Sequence, residues 1–405
     1  MQALYTFSIF IYGCIIRLAA LFNQKAKSWV EGRKDLLNTA PINHNKKLKI
    51  NWFHCASLGE FEQGRPLIEE FKKKFPEEKI LLTFYSPSGY EIRKNYELAD
   101  WVTYLPLDLK SKMNPFINQI NPHRVFIVKY ELWFNMLQIL RDKKINTYLI
   151  SGKFRSEQHF FKKKGTWFLD ILANSFTHFF VQDETSKKQL QNAGINKVEI
   201  CGDTRIDRVI KLAQTPLKFN HLETLIINKK VIIAGSTWQK ENELLSKIKL
   251  TNNTLLIIAP HDVKTENIQQ LQKKFPHAVL WTDIEKQNVC PPILIINCIG
   301  ILSSLYQYAH IAIIGGGYNT GIHNILEPAC FGLPVFFGPK HHKFDEAAAM
   351  IKNKTGFVLQ DALYLEQEIK SLLESEEIRA NIRKKQLEYL KTQSGATQKI
   401  MEQLF

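Results

Sequence analysis

Two carboxylates in the first half of the chain stand where a sequence can do acid–base work. Glu60 follows the apolar run Lys49–Cys55 within Ala56-Ser57-Leu58-Gly59-Glu60, and Glu131 follows Val125–Val128 within Lys129-Tyr130-Glu131-Leu132-Trp133. A carboxylate set by a Gly turn just past a strand is placed to take a proton from a substrate hydroxyl, with Ser57 and Gly59 beside it. The plainer reading of either residue is a helix-start Glu favoured by the helix dipole, yet two at equivalent strand ends make a pair. A third candidate is Arg205, in Gly202-Asp203-Thr204-Arg205-Ile206-Asp207. A guanidinium there suits a leaving phosphate or a substrate carboxylate.

The second half carries a different kind of loop. Gly235-Ser236-Thr237, Pro260-His261 and Ile299-Gly300-Ile301 each follow an apolar run. So does a longer segment, in which Ile311–Ile314 leads into Gly315-Gly316-Gly317, then Asn319, Thr320, Gly321, His323 and Asn324, then Ile325-Leu326-Glu327-Pro328, and a second apolar run ends at Gly338-Pro339. Glycines allow close backbone approach, helix N-termini offer N–H groups to an anion, and an early-helix Glu327 can accept from vicinal ribose hydroxyls. Taken together the four loops predict a nucleotide pocket, with the helix after Gly300 aimed at phosphate. A tight turn capped by Asn324, with His261 and His323 as structural hydrogen bonders, is the ordinary alternative.

The elements that must hold these residues alternate. Apolar runs at Lys49–Cys55, Ile80–Tyr85, Val102–Leu105, Val125–Val128, Thr147–Ile150, Phe179–Gln182 and Val198–Cys201 are separated by helical stretches, including one from about Glu62 to Phe75. After a connection over Asp207–Lys230, the series resumes at Val231–Ala234, Leu255–Ala259, Val279–Trp281 and Ile293–Ile296, and the chain ends in polar helices over Ala362–Phe405. Such alternation predicts α/β structure: two Rossmann-like, doubly wound domains facing a cleft, residues 25–208 and 209–405, with strand ends delivering functional loops.

With 405 residues, two domains are the natural division. A net charge of +15 points to an anionic partner: nucleic acid, phospholipid or a phosphorylated substrate. Six scattered cysteines show no C-x-x-C spacing, which fits reduced thiols in a cytosolic setting. Neither a P-loop nor a G-x-G-x-x-G after the first strand of either half is present, which weakens ATPase and NAD-enzyme readings, and no Asp-x-Asp cluster calls for a metal. Met1–Phe22 is nearly continuously apolar and is followed by Lys25, Lys27, Arg33 and Lys34. That order suits a retained anchor, residues 1–24, with its basic flank on the cytoplasmic side, either just spanning the bilayer or lying in its interface.

In their order and spacing these motifs resemble the 3-deoxy-D-manno-octulosonic acid (Kdo) transferases: the anchor, Ser57–Glu60, Glu131–Trp133, Gly202–Asp207, Gly235–Thr237 and, above all, Gly316-Gly317 through His323-Asn324 to Leu326-Glu327-Pro328. The resemblance implies the GT-B fold and inverting transfer of Kdo from CMP-Kdo to a lipid A precursor, lipid IVA, in lipopolysaccharide core synthesis at the cytoplasmic face of the inner membrane. It implies Glu60 as the base, with Glu131 and Arg205 supporting the transition state and Ser57 and Gly59 at the acceptor. CMP contacts are implied from Ser236, Thr237, Pro260, His261, Ile299, Gly300, Ile301, Gly316, Gly317 and His323 to Asn324, Ile325, Leu326 and Glu327. No cofactor, metal or nucleic acid is implied, and inner-membrane phospholipids are. Three positions depart from the family pattern: Asp262 after Pro260-His261, Lys129 before Tyr130-Glu131, and Ile301 after Gly300. Two other readings stay open: a GT-B glycosyltransferase or epimerase using a UDP-sugar, and an inactive membrane-attached protein that binds lipid A or nucleotide. Oligomeric state and the number of Kdo residues added stay open as well.

Overall fold

A computed structural model describes residues 1–405 apart from 44–46, 163–164 and 320, so Thr320 of the glycine-rich loop and the start of the basic connector at His44 lie outside the described residues. Contacts divide the chain into two compact units, Met1–Asp207 with Ser394–Phe405, and Arg208–Gln393. The first contains strands β1 (Ile50–Cys55), β2 (Lys79–Phe84), β3 (Trp101–Tyr104), β4 (Arg124–Val128), β5 (Asn146–Gly152), β6 (His178–Val181) and β7 (Val198–Ile200). The second contains β8 (Lys230–Thr237), β9 (Thr254–Pro260), β10 (Ala278–Leu280), β11 (Ile293–Ile295), β12 (Ile311–Ile314), β13 (Val335–Phe337) and β14 (Gly356–Val358).

Each set forms one seven-stranded sheet, in the orders β3-β2-β1-β4-β5-β6-β7 and β10-β11-β9-β8-β12-β13-β14. The pairings among the described residues are parallel, as β1 with β2 and β4, and β8 with β9 and β12. A parallel sheet covered by helices on both faces needs strands apolar on both sides, and β1 is buried along its whole length. Alternate residues serve opposite cores: Trp52 packs with Phe116 on one face, while Phe53 stacks on Phe126 at 4.5 Å on the other. Each fully buried aromatic of this kind contributes about 1.5–3 kcal/mol over its exposed form.

In each sheet the chain reverses from one side of its first strand to the other, between β1 and β4 in the first and between β8 and β12 in the second. Ligands of open α/β sheets gather beyond the carboxyl ends of the strands at such points. Glu60 and Glu131 follow β1 and β4, whereas Thr237 ends β8 and the glycine-rich loop follows β12.

Several local expectations need correction. The helix after β1 spans Leu58–Lys74 and starts four residues ahead of the expected Glu62, with Ser57 at its N-cap, so Glu60 sits in a helical first turn and not in a loop. The reason is legible after the fact, since Ser-x-x-Glu is a helix-start pattern. β8 runs on through Gly235-Ser236-Thr237, with a register shift against β9 and Ser236 at φ 52°, so this segment is a bulged strand end. The helices expected to direct their dipoles at phosphate, Leu302–Leu305 and Leu326–Ala329, have four residues each, too few for a sizeable macrodipole. Residues 394–405 cluster with the first unit, not the second. There the helix Ala396–Leu404 turns Ile400 and Met401 into the first unit's core, and Asp207 accepts from the backbone N–H of Gly395 (2.6 Å) and Thr397 (2.7 Å). Its polar composition hid this narrow apolar face.

The N-terminal helix, Gln2–Ala19, is long and apolar enough to cross a membrane by composition, with a mean hydropathy of 1.4. It is also tied to the body of its unit at two points. Tyr5 donates to Asp108 at 2.8 Å and packs on Phe134, and Gly13 lies so close to Leu107 that a Cβ would come within 2.6 Å of its side chain. Leu4, Phe7, Ile11, Ile15 and Leu18, spaced three and four apart, form an exposed apolar stripe. Arg33, expected in the basic flank, is instead enclosed by Trp29, Tyr85 and Tyr104 and donates to the carbonyls of Leu105, Trp29 and Tyr85.

Candidate functional site

At the end of β1 the first unit gathers its carboxylates. Ser57 donates its hydroxyl to the Glu60 carboxylate from within the same helical turn, which fixes the direction of a partly exposed acid. A Cβ on Gly59 would meet nothing nearer than Ser57 Oγ at 3.8 Å, so the protein's own packing does not require the glycine there. Glu131 follows β4, where Lys129 adopts a left-handed backbone (φ 68°) and successive three-residue turns link Tyr130 to Leu132 and Glu131 to Trp133. Its Oε2 accepts from Trp133 Nε1 at 3.0 Å and lies 3.7 Å from His54 Nε2. Both acids bear on one buried atom: burial first, then Glu60 and Glu131, hold the Cys55 thiol well above its ordinary range. Cys55 is therefore an inert neutral group between two charges.

Arg205, in the first turn of its helix, grips Asp203, Nη2 and Nε both donating to Oδ2 at 2.6 and 2.9 Å. The guanidinium keeps Asp203 below the usual carboxylate range against the opposing effect of burial. A pair this tight orients Arg205 and shares its charge, which differs from the open phosphate clamp expected from sequence. Tyr130, whose hydroxyl is raised by burial, feels the charges of Arg155, Glu60 and Arg205, so these side chains belong to one electrostatic neighbourhood. Tyr130, Arg155 and His54 were not singled out by sequence reasoning. His54 is the one with a sequence signal, a polar residue inside the apolar run of β1.

The second unit builds its switch point from rings. Trp238, His261 and His323 form a stack, with centroids 4.5 Å apart for Trp238–His261 and 4.4 Å for His261–His323. Trp238 Nε1 donates to His323 Nε2 at 3.0 Å, which needs the neutral imidazole. Burial, reinforced by His261, pushes His323 down to about 4, and burial lowers His261 as well. Trp238 is 37% exposed, leaving one broad apolar face available. Its position directly after Gly235-Ser236-Thr237 was the missed clue. Glu241, buried, accepts from the N–H of Trp238 (3.1 Å) and of Gly316 (3.0 Å) and so ties the stack to the glycine loop.

The glycines themselves answer to the protein's packing. A Cβ on Gly315 would come within 2.2 Å of Ser236 O, and one on Gly317 within 2.5 Å of Gly338 Cα. Gly316 adds a left-handed φ of 92°. Close approach to a ligand is thus not needed to explain the triplet. Asn324 closes an Asx turn just ahead of the N-cap residue Ile325, its Oδ1 accepting from Leu326 N–H at 3.1 Å, while its Nδ2 donates to Glu327 at 3.0 Å. Burial raises Glu327, opposed by the charge of Arg208 and the Asn324 bond. The buried hydroxyl of Thr237 has no partner among the described residues, an opening for a polar ligand atom. Ile299 is 85% exposed, and a Cβ on Gly300 would meet nothing within 4 Å, so neither is held by the protein's own packing. Among the described residues no three His, Cys, Asp or Glu side chains gather as metal ligands.

Residues 31–208 match the family model described as 3-deoxy-D-manno-octulosonic-acid transferase (kdotransferase). The chain is 29% identical over 362 residues to the 3-deoxy-D-manno-octulosonic acid transferase of Aquifex aeolicus, covering 84% of this chain and 93% of that one. It is 27% identical over 327 residues to a bifunctional glycosyltransferase/methyltransferase of Fusobacterium nucleatum, covering 76% of this chain but only 50% of that longer protein. Among solved structures, UDP-GlcNAc 2-epimerase from Neisseria meningitidis bound to UDP-GlcNAc is similar in fold, with a TM-score of 0.60 at 17% identity over 88% of this chain and 98% of that one.

Proposed function

We propose that this chain, which belongs to the 3-deoxy-D-manno-octulosonic-acid (Kdo) transferase family, moves Kdo from CMP-Kdo to a lipid A precursor such as lipid IVA. The observation that carries the chemistry is the pair Glu60 and Glu131 at the carboxyl ends of β1 and β4, on either side of the first sheet's reversal. Glu60, oriented by Ser57, takes the proton of the acceptor hydroxyl. The acceptor oxygen bonds to the anomeric carbon of Kdo as the bond from that carbon to the CMP phosphate oxygen breaks, with inversion. Glu131 directs the acceptor through its second carboxylate oxygen, and Arg205, held by Asp203, contributes oriented positive charge.

The second unit supplies donor recognition. The Trp238 face and the neutral His261 and His323 suit a nucleobase, Thr237 Oγ1 a phosphate or ribose oxygen, and Glu327 a ribose hydroxyl. A single phosphate leaves as CMP, so no metal is needed to balance its charge. The N-terminal helix, anchored by Tyr5 and Gly13 and apolar on its outer stripe, supports seating in the membrane interface over spanning. The basic residues Lys25, Lys27 and Lys34 support contact with anionic phospholipid, and with it a seat on the cytoplasmic face of the inner membrane.

Incubating the full chain with CMP-Kdo and a tetraacylated lipid A precursor, then weighing the lipid product, tests the reading. Mass increments of one or more Kdo units are expected. Consumption of a UDP-sugar in place of CMP-Kdo would overturn it.

A further inference from the structure

Glu131 and Glu60 are held in different ways. Glu60 rides on a helix and is steered by its own N-cap serine. Glu131 lies in a run of three-residue turns, before the next helix begins at Phe134, so its backbone gives its side chain no such support. Two ring nitrogens converge on the same oxygen, Oε2: Trp133 Nε1 at 3.0 Å and His54 Nε2 at 3.7 Å. His54 is fully buried on β1, and its Nε2 has no hydrogen-bond partner among the described residues.

The opposite edge of that imidazole decides where its proton sits. His54 Nδ1 lies 2.9 Å from Thr83 Oγ1 and 3.2 Å from Thr83 O. Thr83 Oγ1 already accepts from Trp52 Nε1 at 2.8 Å, so its own proton is available for Nδ1, the other acceptor of that hydroxyl among the described residues being Phe53 O at the longer distance of 3.5 Å. Accepting from Thr83 puts the ring proton on Nε2, facing the carboxylate. The other tautomer would aim a buried lone pair at a carboxylate oxygen, which is unfavourable for both. Trp133 is fixed in turn, stacked at 4.6 Å on Tyr85, whose carbonyl is held by Arg33 at 2.7 Å.

We infer that His54 and Trp133 are positioning residues for the transfer: both donate to Oε2 of Glu131, so that the other oxygen, Oε1, is the one presented to substrate. This rests on the role assigned to Glu131 above. The 3.7 Å separation is beyond a formed hydrogen bond, and closes when substrate draws the carboxylate into its working pose, as bonds around reacting groups commonly do.

Isosteric amides test it in the full-length protein. The amide nitrogen of Gln overlays His Nε2, and the amide oxygen of Asn overlays Nδ1, where it can accept from Thr83 as that ring nitrogen does. His54→Asn keeps the Thr83 side and loses the donor to Glu131, so kcat should fall about 10- to 100-fold, the range for residues that orient a working ligand. The KM for CMP-Kdo should stay unchanged. His54→Gln should recover most of that loss. Trp133→Phe keeps the stack on Tyr85, removes the second donor and should lower kcat alone, which serves if the His54 variants fold poorly. In a Glu131→Gln background neither change should reduce kcat further. Equal losses in His54→Asn and His54→Gln, or wild-type kcat in both folded His54→Asn and Trp133→Phe, would overturn the inference. A fully active Glu131→Gln protein would instead remove the role of Glu131, and the need to position it with it.

Discussion

The two sheets reverse at comparable points, yet they furnish those points with opposite chemistry. Beyond β1 and β4 stand two acids, with Arg155 and an Arg205–Asp203 pair in the same electrostatic neighbourhood. Beyond β8, β9 and β12 stand a tryptophan, two imidazoles kept neutral by burial and three glycines wedged against neighbouring backbone. Charge that can move a proton lies in one unit, and flat neutral surface that can hold a base lies in the other. A shared fold therefore does not mean a shared task. On the proposed function the first reversal reacts and the second recognises, a division that can be broken residue by residue.

The largest effect should come from Glu60. Glu60→Gln keeps the bond to Ser57 and removes the base, so kcat should drop about 10²- to 10⁴-fold. Calorimetry should find CMP bound as tightly as by the unaltered protein, and weakened CMP binding would contradict the division. Next is Gly317→Ala. Its Cβ would stand 2.5 Å from Gly338 Cα, backbone against backbone, where a flexible side chain cannot yield. A loss of about 1–3 kcal/mol in the stability of the second unit is expected, read as a lower melting temperature, whether or not CMP is present. Trp238→Ala should be smaller and opposite in kind to Glu60→Gln. CMP binding should weaken about tenfold, the scale of one lost stacking contact, with kcat at saturating donor nearly preserved. A fall in kcat without a change in CMP affinity would move Trp238 out of the recognition surface.

What could be read in the sequence follows from which forces are local. Strand ends are marked by the change from apolar to polar residues, so Glu60, Glu131 and the loops at 235–237 and 315–327 were legible without coordinates. The start of the helix at Leu58 was legible too, through Ser57 and Glu60, but was placed four residues late. Contacts between distant segments were not legible. Gly317 has no room for a side chain because Gly338 crosses it, and His54 Nδ1 meets Thr83 on the neighbouring strand. Neither neighbour leaves a trace in the residues around its partner. The Ala396–Leu404 helix failed for a related cause: its buried face is narrow, and only the acceptor Asp207 and the core it meets give that face meaning.

The smallest effect concerns pH, and it separates the neutral imidazoles from the charged side chains of the other unit. His310 sits just before β12 with its Nδ1 accepting from Val231 N–H at 3.1 Å, a bond only the unprotonated ring can make. Burial, with Lys230 and Arg379, pushes it down to about 4, as burial does for His323. An unfolded histidine titrates near 6.5. Between that value and about 4 the unfolded chain binds protons that these folded rings refuse, so their contribution is complete above pH 6.5 and is lost as pH falls towards 4. The melting temperature should thus decline from pH 7 to pH 5. His310→Asn retains an acceptor for Val231 but cannot titrate, so its melting temperature should decline less steeply across the same interval. Identical slopes for the two proteins would show that the acid sensitivity lies elsewhere, and would take from the second unit the neutrality that distinguishes it from the first.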